Sequence, residues 1–347
     1  MATFAEQVRR YFLWLLLGVY ALAAVLPGPG AAAARFDLCQ WAGLPGRATM
    51  PLVLVATLLF LAAMAVDLSE LRVLIRRPLL WIAGLVCVWL GPTAAVAVAG
   101  SILPITASDA SAGLLLGMTL VAAMPVANSS VGWTQQSDGS LPWSLGLVVL
   151  SILLTPWVTP LLLRLSGMSL VGAEPELIEQ ATRSFSGAPF IVWVLLPTAA
   201  GLAVRRWLGA ESIAEMKPAR HLLSTAVLLV LNYAAGSLAL GVRPTTAALA
   251  SAAVAAFALS LVGVLLASVL TILFRLDQPT RDAFRFGLSM KHTGLAFGLA
   301  ATAGLAEQPE LMLLIVTATP AQHIVAAGLD HWHARKTPAA DPVATGG

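Results

Sequence analysis

Ten apolar blocks divide this chain, each close to the roughly 20 residues that an α-helix needs to cross a bilayer. They occupy positions 11–26, 50–66, 79–99, 110–126 and 141–165, then 189–204, 221–240, 246–274, 283–305 and 311–329. A charged fraction of 11% and a mean hydropathy of +0.86 agree with them, since a soluble domain carries about 25% charged residues. Lipid offers no partner to a bare backbone N–H or C=O, so segments of this length span as helices. The expected class is an all-α polytopic membrane protein with ten transmembrane helices, and its first partner is the lipid bilayer. Nucleic acid is not an expected partner, because the net charge is only +3 and the basic residues sit scattered between the hydrophobic blocks. The two cysteines, Cys39 and Cys87, supply neither a disulfide framework nor a metal spacing.

Orientation follows from the basic residues between blocks. With the N-terminus inside, the inner segments hold fourteen of the 20 Lys and Arg, Arg9, Arg10, Arg205 and Arg206 among them. The outer segments hold five: Arg35, Arg47, Arg164, Arg183 and Arg243. Both termini are therefore expected in the cytoplasm, with the chain in a plasma membrane or a bacterial-type inner membrane. Arg9, Arg10, the first apolar run and the alanines at 31–34 also resemble a cleavable signal peptide. The run is longer than a usual signal core and positions 27–30 read as a helix stop, so a retained first helix is expected. Tryptophans near block ends (Trp14, Trp81, Trp143, Trp193, Trp332) read as interface anchors. The tail, 336–347, is short, small and Pro-containing, and reads as disordered.

Two blocks depart from plain apolar sequence. The ninth carries Lys291 and His292 among Gly287, Ser289, Thr293, Gly294 and Gly298. A charge at mid-bilayer costs about 2.5–3.5 kcal/mol on insertion scales and normally faces a polar cavity or a partner. The competing reading starts a cytoplasmic loop at Lys291, against which stands the apolar sequence on both sides. The fourth block has Pro125, Asn128, Ser129, Ser130, Gly132 and Thr134 at the matching place in its half. Each is followed by a block with a Thr-Pro step, Thr155-Pro156 and Thr319-Pro320. Five blocks plus five implies opposite orientations of the halves, an inverted five-helix repeat over 1–170 and 171–335. Such folds cross two broken helices near the midplane, and the freed backbone groups bind ions or substrate. Chance is the alternative, since Gly and Pro are common in membrane helices.

The segment MPVANSSVGWTQQSDGSLPWSLGLVVLSILLTPWVTPLLL, which begins at Met124, resembles the fourth and fifth helices of the bile acid:sodium symporter family. SMKHTGLAFGLA at 289–300 resembles its ninth-helix signature, and LSELRVLIRRPLLWIAGL at 68–85 is similar to its second loop and third helix. The resemblance implies a ten-helix fold with crossing broken helices 4 and 9. Helices 3–5 and 8–10 would form a core domain, and helices 1, 2, 6 and 7 a panel. It implies a small organic anion as substrate, a bile acid or other sterol conjugate or a small carboxylate, moved by alternating access. Residues at the crossing would be Lys291, His292, Ser289, Thr293, Asn128, Ser129, Ser130 and Ser144, with Gln322 and His323 as a polar pair on the tenth helix.

The departures from the family concern sodium, which needs hard oxygen ligands. Aligned on these motifs, the ninth-helix acidic residue falls on Gly287 and a glutamine falls on Lys291. A fourth-helix asparagine falls on Val131, a fifth-helix hydroxyl on Val148, and a third-helix glutamine near Val88. Ser130 and Ser144 remain. Sodium coupling is therefore doubtful, and no cofactor or bound metal is expected. An ammonium can donate its three hydrogens to the same carbonyls, so Lys291 is expected to stand in for the cation. A lysine that loses and regains a proton would couple transport to protons, as would His292, and Lys291 could also pair with a substrate carboxylate. No nucleophile–base pair or metal constellation points to an enzyme. The rival reading is a non-transporting ligand-binding or sensor descendant of the same carrier fold.

Overall fold

In the computed structural model the described residues run 11–43, 47–67, 77–102, 109–167 and 190–336, with isolated positions between them. Most of the connector between the two halves and the loop at 68–76 lie outside them, as does the tail after Lys336. The regular structure of the described residues is all helical, with isolated β-bridges and no strand. Helix α1 is Phe12–Val25, α2 Pro27–Arg35, α3 Leu38–Trp41, α4 Met50–Ala63 and α5 Pro78–Ile102. Helix α6 is Asp109–Ala122, α7 Ser129–Gln136 and α8 Leu141–Gly167. A π-helical turn, Ile191–Leu195, leads into α9, Leu196–Glu215, and then come α10, Lys217–Gly241, and α11, Thr246–Phe274. Helix α12 is Gln278–Ser289, α13 Thr293–Thr302 and α14 Pro309–Lys336.

Among the described residues six helices are long and apolar enough to cross a membrane, or seven if the bent pair α1–α2 is one span. The other three apolar blocks take shorter forms. Block two is the 14-residue α4, while blocks four and nine are each split, into α6 with α7 and α12 with α13.

The first block differs from expectation. A new helix begins at Pro27, turned 96° from α1, because a proline at the first helical position starts a helix readily. The alanines at 31–34, read above as a possible cleavage region, lie within α2. Helix α1 packs Leu16, Tyr20 and Ala23 inward, and α10 is the main neighbour of both α1 and α2. Two of the tryptophans are not interface anchors either. Trp81 and Trp143 are buried and stack on one another at 4.6 Å, with Phe284 5.5 Å from Trp143.

Contacts fall into two sets. Helices α1, α2, α4, α9 and α10 pack mainly among themselves, as do α5–α8 and α11–α14, and the sets meet where α10 touches α14 and α4 touches α13. At one end of this seam Arg35 forms a bidentate pair with Glu307, at 3.0 and 3.2 Å, and Arg47 donates to the Thr302 carbonyl at 3.0 Å. The Arg35 hydrogen bond holds the Glu307 carboxyl below its ordinary value. A depressed carboxyl contributes stability that is present above the unfolded glutamate value, about 4.3, and is lost as pH falls through the folded one. Both side chains are more than half exposed, so the pair is worth about 0–1 kcal/mol. Glu307→Gln is expected to leave the melting temperature at pH 7 almost unchanged and to flatten its acid-side pH dependence slightly.

Candidate functional site

Two interrupted helices meet at their breaks. Helix α6 stops at Ala122 because Pro125 disfavours helical geometry in the residue before it. Met290, which ends α12, is extended (φ −117, ψ 119). Val126 and Lys291 form an antiparallel β-bridge there. Ala127 N–H donates to the Met290 carbonyl at 3.0 Å, and His292 N–H to the Pro125 carbonyl at 2.9 Å. Each break thus satisfies backbone groups of the other, the condition for irregular chain inside an apolar bundle. Gln322 on α14 accepts from Lys291 N–H at 2.9 Å. Helix α8 braces the other side: Val126 N–H donates to Ser151 Oγ at 3.0 Å and Thr159 Oγ1 to the Ala123 carbonyl at 2.6 Å. Ser151, Thr155 and Thr159 recur every fourth residue on one face of that helix, and all three are buried. They are absent from the sequence-derived site, although that spacing within an apolar block was readable.

Lys291 is only 5% exposed. Its ammonium donates to the Val88 carbonyl on α5 and, at 3.3 Å, to the Met124 carbonyl in the first break. Among the described residues it forms no ion pair with a carboxylate. The loop-start alternative is excluded, because the amine lies inside the bundle at the crossing. Three of the positions read from the resemblance as lost oxygen ligands are placed as follows. Gly287 is buried against Leu147, Val131 is half-buried, and Val148 is buried with its carbonyl accepting from Ser151.

The remaining sequence-derived residues take distinct places. His292 caps α13, its Nδ1 accepting from Leu295 N–H at 3.1 Å, while its buried Nε2 has no partner among the described residues. A proton on Nδ1 would abolish that cap. Thr293 and Thr319 share a hydrogen bond at 2.8 Å. Ser289 turns back to the Phe286 carbonyl at 3.3 Å, inside its own helix. Asn128 and Ser129 are half-buried at the start of α7, and Asn128 makes no side-chain cap. Ser144 Oγ lies 3.1 Å from Thr134 Oγ1, which donates to the Ser130 carbonyl at 2.8 Å; the Ser130 hydroxyl is buried without a partner among the described residues. His323 Nδ1 accepts from Trp133 Nε1 at 3.1 Å, and Phe12 packs edge-on against the imidazole.

A second polar feature crosses the seam between the two sets of helices. Tyr20 on α1 donates to Asn232 Oδ1 on α10 at 2.5 Å and also meets the Thr319 hydroxyl on α14, which is joined to Thr293. Beside this chain lies a small pocket lined by Asn232, Thr293, Gly294, Phe297, Val316 and Thr319, among others. Tyr20 and Asn232 are polar letters inside apolar blocks, and nothing in the sequence sets Asn232 apart from Ser224, Thr225, Tyr233 and Ser237 in the same block.

Helices of this length and apolarity, with a polar site built where two of them break, make this an integral membrane protein. Residues 52–243 match the Sodium Bile acid symporter family, and as that is more than half of the chain, the protein belongs to this family. The family consists of membrane transporters of the bile acid symporter type and not of enzymes. The matched region takes in the first interrupted helix and stops short of Lys291. Comparison with curated proteins gives no match.

Proposed function

We propose that the protein is a secondary active transporter of small organic anions, bile acid or sterol conjugates or small carboxylates, with the Lys291 ammonium in the place of a bound sodium. The observation that carries this reading is the buried amine at the crossing, bonded to two backbone carbonyls from different segments. An ammonium so held supplies the positive charge that a bound cation would supply, and no ion need be drawn from solution. Among the described residues six spans, a seventh if the bent pair α1–α2 counts as one, and three shorter apolar segments support a ten-helix fold. The two paired breaks, one in each half, support an inverted five-helix repeat. The two sets of packed helices support a panel of helices 1, 2, 6 and 7 and a core of helices 3–5 and 8–10. In this reading the core moves against the panel, substrate enters between them beside the Thr293–Thr319 pair, and both termini lie in the cytoplasm of a plasma or bacterial-type inner membrane. Proton exchange at Lys291 would supply the driving force in place of sodium.

Uptake and counterflow in proteoliposomes test the reading, with taurocholate and a set of short keto acids as probes. Replacing sodium by choline on both sides is expected to change the initial rate by less than twofold, whereas an imposed proton gradient changes it several-fold. Strict dependence on sodium would overturn the substitution by Lys291. Binding without counterflow would favour a ligand-binding descendant of the carrier fold.

A further inference from the structure

Within α5, each amide donates to the carbonyl four residues earlier. Residue 92 is a proline inside that helix. It has no N–H, so the Val88 carbonyl has no intrahelical donor, and the proline ring crowds that same carbonyl. Val88 is wholly buried, so its carbonyl cannot turn to water; a buried carbonyl left unpaired is costly. The group that fills the gap is the Lys291 ammonium, 203 residues away in sequence. The second acceptor of that ammonium, the Met124 carbonyl, immediately precedes Pro125 and is released where the helix breaks. Two prolines in separate stretches therefore each leave one carbonyl free, and both carbonyls point at one nitrogen.

We propose that Pro92 is a positioning residue that acts through Lys291: by withholding an amide from Val88 it reserves that carbonyl for the ammonium. This rests on the reading of Lys291 as the resident cation. The charge lives on one element and the proline that makes room for it on another. A proline placed here merely to bend α5 would have no reason to depend on residue 291.

The test is a double-mutant cycle on the full-length protein purified in detergent: wild type, Pro92→Ala, Lys291→Met and the combination. Alanine at 92 restores the amide, which competes with the ammonium for Val88. In the Lys291→Met background that carbonyl is an orphan, and the restored amide repairs it. The change in melting temperature caused by Pro92→Ala is therefore expected to be more favourable in the methionine background by several degrees. Pro156→Ala in α8 should shift both backgrounds alike. Equal shifts for Pro92→Ala in the two backgrounds overturn the proposal. Should the methionine variant fail to purify, the α-hydroxy analogue of alanine at 92 carries the test, because its ester lacks an N–H without having the ring. It is expected to melt close to wild type and above Pro92→Ala, and melting together with Pro92→Ala would refute the role of the missing donor. Coupling with sodium-dependent uptake would sink the functional reading and leave this one standing. Sodium-independent uptake without coupling would do the reverse.

Discussion

Lys291→Met is expected to lower anion uptake more than tenfold, and added sodium should not restore it. Methionine keeps the unbranched apolar stem but ends where the lysine amine begins and brings no donor, so the Val88 and Met124 carbonyls lose the hydrogens they receive from the amine. Each buried acceptor stripped of its partner costs about 1–3 kcal/mol, and a factor of ten in rate is worth only about 1.4 kcal/mol. The crossing also loses the positive charge of Lys291, and with it that charge's favourable field for an anionic substrate. Sodium is not expected to take over, since position 287 carries no carboxylate and positions 131 and 148 are valines. Lys291→Gln returns an oxygen at that point but not the acidic partner, so it should recover activity only in part. Initial uptake rates at equal amounts of reconstituted protein, with and without sodium, check all three statements. Full activity of the methionine variant would remove Lys291 from the mechanism.

Gly263→Val, on α11, is expected to lower stability markedly. Glycine in a helix interior ordinarily costs about 1 kcal/mol relative to alanine, so a side chain at an open position would stabilise. Here the sign reverses. A Cβ on residue 263 would lie 2.7 Å from Ser289 Cα and closer still to the Leu288 carbonyl. The obstacle is the backbone of α12 at its last turn, two residues before Lys291, and backbone cannot swing aside as a side-chain tip can. Overpacking of this kind costs about 1–3 kcal/mol and sometimes more, which outweighs the gain in helix propensity. Either α11 moves outward or the second break shifts along the bundle, and the amine then leaves its two carbonyls. The melting temperature should drop by several degrees and uptake should fall with it. A variant that melts like wild type would show that α11 and α12 are not in the close contact described.

Much of the crossing was legible before any coordinates. Pro125 and the run of small and polar residues after it announced an interrupted helix, and Lys291 inside an apolar block required a polar place to sit. What the letters could not show was the partner of the amine, because a backbone carbonyl has no letter of its own. The single visible sign was Pro92, four residues after Val88. The hydroxyls of Ser151, Thr155 and Thr159 were legible in spacing but not in role: Ser151 and Thr159 bond backbone groups of the first break, while Thr155 donates to the Ser151 carbonyl one turn earlier. Trp81 and Trp143 show the converse limit. Their places at block ends suggested a lipid interface, and only packing reveals that the two ends face one another. The 96° turn after α1 was hidden for a similar reason: Pro27 can end one helix or begin the next, and tertiary contacts with α10 select the second.

Sodium binding to the purified protein, followed by titration calorimetry at constant ionic strength with choline as the balancing cation, is the measurement closest to the central claim. With the Lys291 ammonium already bonded at the crossing, the account predicts no saturable heat up to sodium concentrations well above those at which carriers of this class would load. Stoichiometric, saturable binding to the wild-type protein would contradict it, because one site cannot hold both the amine and the ion.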